Sequence, residues 1–195
     1  MRPISSIVIF TALAVVLFTL ALVSAGPRYD DEACDIALQV LKDLRYESGG
    51  KLAVSPRSAH RDPMTRQQAE KFAADFRRDN VLDAEGERLL ELFVGETAVA
   101  KVQPVKACSN IRAWLVASRI LHDDGKIETE TRGKEKYPFA IVEISMPVIS
   151  KDRAHAQIWI STTYGPLAGG GGPADLERDQ SGRWRIKATS SIWVS

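Results

Sequence analysis

Apolar side chains recur at helical spacing in the first half of this chain and at alternate positions in its last third. From Asp31 to Tyr46 they fall at Ala33, Ile36, Ala37, Val40, Leu41 and Leu44, one stripe in three- and four-residue steps, which predicts a helix. Asp30 or Asp31 caps its first turn and Gly49-Gly50 stops it, so Cys34 stands near its start beside the buried face. Lys51 to Asp62, with Ser55, Pro56 and Ser58, reads as an irregular connection. Thr65-x-x-Gln68 is a capping-box pattern that opens a second helix; its apolar side is Ala69, Phe72, Ala73 and Phe76, and Asp79-Asn80 breaks it. A third helix runs from Asp83 with Leu89, Leu90 and Phe93 inward and Gly95 at its end, and the two pair as a helical hairpin.

Thr97 to Gln103 reads as a short strand ended by Pro104, while Ser109 to Leu121 fits helix or strand, which periodicity does not separate. His122 to Lys136 is dense in charge, contains the turn residues Asp123-Asp124-Gly125, and reads as a solvated connection. After Pro138 the period becomes two. Val142, Ile144, Met146 and Val148 share a face of one strand, and Ala154, Ala156, Ile158 and Ile160 a face of the next, with Lys151-Asp152 turning between them. Ala174 to Asp179 is a third strand, Gln180-Ser181-Gly182 a hairpin turn, and Trp184 to Val194 a fourth strand. Helices followed by an antiparallel meander of about four strands predict an α+β domain with helices on one sheet face.

The segment before the first helix carries a different signal. Ile7 to Val23 has only two polar side chains, Thr11 and Thr19, and no charge lies between Arg2 and Arg28. Arg2 and the amino terminus hold the front end in the cytoplasm and Asp30, Asp31 and Glu32 follow the far end, an orientation that sends the remainder across the membrane. Val23-Ser24-Ala25 suits cleavage by signal peptidase, yet the apolar run, about 17 residues, is also near the minimum for a spanning anchor. Residues 1–25 are therefore read as signal peptide or membrane anchor, and 26–195 as one exported domain, periplasmic, secreted, or tethered outside the cytoplasm.

With 26 basic against 25 acidic side chains the chain has no cationic excess to neutralise phosphates, which argues against nucleic acid as a partner. An apolar fraction of 45% is enough for a real core. The two cysteines, Cys34 and Cys108, both lie in the exported part, where thiols oxidise, so a Cys34–Cys108 disulfide is expected.

No serine lies in a G-x-S-x-G elbow, and no cofactor motif is present. His60, His122 and His155 lack the i, i+4 spacing of helical metal ligands and are read as surface residues; alternation points His155 away from the core. The unusual segment is Tyr164 to Pro173, where glycine amides suit either an anion nest or a flexible hairpin connection. Pro173, rather than Lys-Ser/Thr and a helix, follows it, so exposed Tyr164 and Leu167 favour a protein or peptide over phosphate. The possible binding loop is Tyr164, Gly165, Leu167, Gly169 and Gly171. Trp159 and Trp193 run out of register with the core set and form an exposed aromatic patch unless a helix covers them.

Ile149-Ser150 with Asp152, Ala156-x-Ile158-Trp159-Ile160, Gly165-Pro166-Leu167-x-Gly169-x-Gly171, Gly182-x-Trp184-x-Ile186 and Trp193-Val194-Ser195 together resemble a family of uncharacterised bacterial exported proteins. Members of that family usually carry C-G-x-L-C-G in the loop, where this chain has Tyr164 and Ala168. The resemblance implies export and hairpins but no activity. A weaker likeness, through the G-x-W hairpin, is to nuclear transport factor 2-like and cystatin-like α+β domains, a fold that hosts both enzymes and binding modules. The reading that follows is an exported, non-catalytic module that binds an envelope protein or a small ligand through the loop or an open sheet face. Its rivals are a small pocket enzyme using an acid and one of the histidines, and a membrane-tethered accessory subunit.

Overall fold

The computed structural model describes residues 31–59, 64–191 and 193–194, so the leader and His60 lie outside the described residues. It is an α+β arrangement in which helices precede most of the sheet. Helix α1 is Asp31–Glu47, and Gly49 and Gly50 end it at positive φ. Next come β1 (Leu52–Val54), α2 (Arg66–Asp79), α3 (Ala84–Val99), the single turn α4 (Pro104–Ala107), α5 (Ser109–Ala117) and α6 (Asp124–Thr131). The sheet continues with β2 (Ala140–Ile144), β3 (Val148–Ile149), β4 (His155–Gly165), β5 (Ala168–Arg178), β6 (Trp184–Thr189) and β7 (Trp193–Val194). Its strand order is β1-β2-β4-β5-β6, with β3 added beside β4 and β7 beside β5.

Alternation along β4 divides the sheet into two faces. Ala156 and Ile158 join Ile36, Val40, Leu41, Ile111, Leu115, Val142 and Ile144 in the main core, so α1 and α5 cover that face. His155, Gln157 and Trp159 point the other way, where Arg88 and Glu96 of α3 bond to His155 and Trp159. Cys34 in the first turn of α1 is bonded to Cys108, the residue joining α4 to α5, with Cα atoms 5.5 Å apart. The disulfide thus staples the two helices that close the core, and it is a bond characteristic of oxidising surroundings.

The capping box at Thr65 and Gln68 forms as expected, with the Gln68 amide N–H donating to Thr65 Oγ1 at 3.3 Å. Helix α2 packs on α3 through Ala69 and Ala73, while Phe72 and Phe76 lie half exposed, ring against ring, with Phe72 also 5.4 Å from Phe93.

The structure departs from the sequence expectations at several places. Gly95 does not end α3, which runs on to Val99 into the segment expected as a strand; a Cβ on Gly95 would come within 2.5 Å of Val148 Cγ1, so the glycine serves close helix–strand approach. Leu89 is exposed, and Leu90 and Leu92 are the buried leucines of this helix. The connection Lys51 to Asp62 contains β1, a parallel partner of β2 buried along its whole length and therefore without alternation. His122 to Lys136 contains α6, whose one buried apolar residue, Ile127, leaves no stripe to read, although Asp123 caps it. Both long strands are interrupted, at Ser145–Pro147 between β2 and β3 and at Ser190 and Ser191 after β6. Ser109 to Leu121, open by periodicity, is helical to Ala117.

Reducing the disulfide, or replacing Cys34 and Cys108 together by alanine, releases a constraint across 74 residues. Urea unfolding with and without reductant is expected to show a loss of about 4 kcal/mol, the chain-entropy value for a loop of this size.

Candidate functional site

The glycine-rich segment is not a loop. Gly169 to Gly172 lie in β5, opposite Thr163, Thr162, Ser161 and Ile160 of β4, and Gly170 and Gly171 also pair with β7. Glycine has low strand propensity, which is why the run reads as a turn; pairing with strands on both sides overrides that preference here. With the run drawn into the ladder, the anion-nest geometry is lost and the reversal contracts to Pro166-Leu167.

What remains of the expected loop is a hairpin tip. The register shifts between Thr163 and Gly165, and Tyr164 at this irregularity is 53% exposed while Leu167 is 84% exposed. Tyr164 and Leu167 are therefore presented together, Gly165 sits buried at the base, and Gly169 and Gly171 belong to the stem.

Two contacts from the segment after α6 brace this tip. The Tyr137 N–H donates to the Tyr164 carbonyl at 2.8 Å, and a Cβ at Gly165 would stand 2.6 Å from the Glu135 carbonyl oxygen. Beside the tip lies an open depression of about 340 Å³ formed by Arg132, Lys134, Glu135, Tyr137 and Pro166. A presented pair of apolar side chains flanked by charged residues suits a surface for binding, with little ordering left for the tip to undergo. Sequence reasoning missed Glu135 and Tyr137, since a brace formed by backbone groups leaves no side-chain pattern.

The second group of interest lies under α3. Glu96 is only 7% exposed, and its carboxylate accepts the Trp159 indole N–H at 2.8 Å. Burial pushes the Glu96 carboxyl up to about 7; the Trp159 bond opposes that rise and the neighbouring Asp175 charge adds to it. Asp175 in turn accepts from the Gln157 side-chain amide at 2.7 Å. Trp159 is thus covered by a helix rather than forming an exposed patch, and the Trp193 side chain lies outside the described residues. The signal for Glu96 was present in the sequence: it follows Leu92 by four and precedes Val99 by three, on the inward stripe of α3.

The histidines are dispersed. His122 donates from Nδ1 to the Ile120 carbonyl at 2.8 Å, while its neighbours Asp123 and Asp124 cap α6 and hold Arg57. His155 faces away from the main core, as alternation predicts, with Nε2 3.2 Å from the Arg88 guanidinium. Among the described residues, no group of three His, Cys, Asp or Glu side chains is placed to hold a metal ion.

Because the Glu96 carboxyl titrates near 7 when folded and near 4.5 when unfolded, the native state keeps a proton that the unfolded chain loses between those values. The associated stability is complete below the lower value and declines as pH rises through the upper one. Unfolding free energies across this range should fall by about 3 kcal/mol with rising pH, and Glu96→Gln, which keeps an acceptor for Trp159, should flatten that slope.

Comparison with known proteins finds no matching family model, no similar curated protein and no similar solved structure.

Proposed function

We propose that this chain is an extracytoplasmic, non-catalytic binding module that holds a partner protein with the β4–β5 hairpin tip. The observation that carries the reading is the joint exposure of Tyr164 and Leu167 on a turn braced by Tyr137 and Glu135. The apolar leader, the Cys34–Cys108 disulfide and the C-terminal likeness to exported proteins support its placement beyond the membrane.

Geometry adds a reason to favour the tip. Glu32, just inside α1, pairs with Arg153 in the β3–β4 turn and Arg178 at the end of β5, so the described chain begins at that end of the sheet. The tip terminates the opposite end of β4, an 11-residue strand about 30 Å long at ordinary strand rise. The tip thus lies at the far end of the sheet from the described start of α1.

A pocket enzyme is the second reading, favoured by one observation: Glu96 holds a proton near neutral pH, as a general acid requires. Against it, the carboxyl is covered by α3 and Trp159, and the adjoining cleft beside His155 and Asp175 is only about 120 Å³.

A photo-crosslinking amino acid at position 167, expressed in the native envelope, separates these readings. One discrete protein adduct is expected there and none from the remote exposed position 116. Replacing Tyr164 by serine should abolish the position-167 adduct, whereas alanine at both His122 and His155 should leave it intact. No adduct at 167, or an adduct unaffected by Tyr164→Ser, contradicts the proposal.

A further inference from the structure

Strand β6 ends the sheet, and among the described residues it pairs only with β5. Its other edge presents backbone N–H and C=O groups with no strand partner, the arrangement that an extended segment completes. Alongside this edge runs a groove of about 470 Å³ between β6 and α1, with Trp184 and Ile186 on the strand side flanked by Arg183 and Arg185. The helix wall is Asp35, Gln39, Asp43 and Glu47, every fourth residue of α1. At the helical rise this row extends for about 18 Å, the length of roughly five residues of strand.

The charges identify the occupant. The basic residues on the strand side are engaged by carboxylates of β5 and the turn after it, Arg183 and Arg185 with Asp179 at 3.9 and 2.8 Å and Lys187 with Glu177 at 3.1 Å. On α1 the acids have neutral partners: Asn110 donates to Asp35 and Gln39 to Asp43, both at 2.8 Å, and no described basic side chain pairs with Asp35, Asp43 or Glu47. A second copy fits poorly. Two β6 strands joined antiparallel about a twofold axis through the sheet would bring both acidic α1 rows to the same side of the joined sheet.

We infer that the β6 edge and the acidic row of α1 form a docking groove for an extended segment of a partner protein with Lys or Arg at alternate positions. The segment adds a strand to β6 and sets its basic side chains against Asp35, Asp43 and Glu47. This surface is separate from the hairpin tip, so either proposal stands or falls without the other.

The test is hydrogen exchange of the purified, exported full chain with a synthetic alternating lysine–valine heptapeptide at about 1 mM, a concentration that reveals weak edge pairing. Exchange across residues 183–189 is expected to slow, while a matched glutamate–valine peptide leaves it unchanged. Asp43→Lys combined with Glu47→Lys should weaken binding by about tenfold or more, the loss expected for two exposed ion pairs and their reversal. Should that variant fold poorly, the wild-type protein with a lysine peptide N-methylated along one edge gives an independent reading, since methylation removes the pairing N–H groups but keeps the charge. No slowing, equal slowing by the glutamate peptide, or undiminished binding of the N-methylated peptide overturns the inference.

Discussion

Closure of the core rests on the bond between Cys34 and Cys108. The sheet supplies one apolar face, and α1 and α5 reach it from distant parts of the chain, with 74 residues between the two sulfurs. Bringing such segments together costs loop entropy, and the disulfide removes much of that cost from the folding equilibrium by restricting the unfolded chain. Around this staple α1 collects other long-range ties. Glu32 accepts the Trp184 indole N–H and pairs with Arg153 and Arg178, while Asp35 accepts from Asn110. The position of α1 consequently sets the depth of the core and the width of the groove beside β6.

Burial on two faces gives the sheet its other role. Covered by α1 and α5 on one side and by α3 on part of the other, it holds Glu96 and Trp159 where water does not reach them freely. The hairpin tip extends past that cover. The same strand, β4, therefore carries a partly buried polar contact to Glu96 near its middle and an exposed tyrosine near its end.

Features written in local chemistry were legible before any coordinates. The stripe of α1, the capping box at Thr65, the turn at Gly182 and the paired cysteines each follow from a rule that acts within a few residues or from the only available partner. Illegible features depend on what lies across the fold. Gly95 resembles a stop signal until Val148 is seen against it, and Gly169 to Gly172 resemble a loop until β4 and β7 flank them. Strand β1, buried on both faces, has no alternation to read. Of the candidate site, Tyr164 and Leu167 could be named from exposure-prone turn chemistry, whereas the braces at Glu135 and Tyr137 exist only in three dimensions.

Oxidation state in the cell is the observation on which this account depends most directly. Acid quenching of intact cells, alkylation of free thiols with a mass tag and subsequent fractionation report both compartment and redox state for each molecule. Untagged protein, with Cys34 joined to Cys108, is expected outside the cytoplasm. Recovery of the chain in the cytosol with a tag on both cysteines would contradict it.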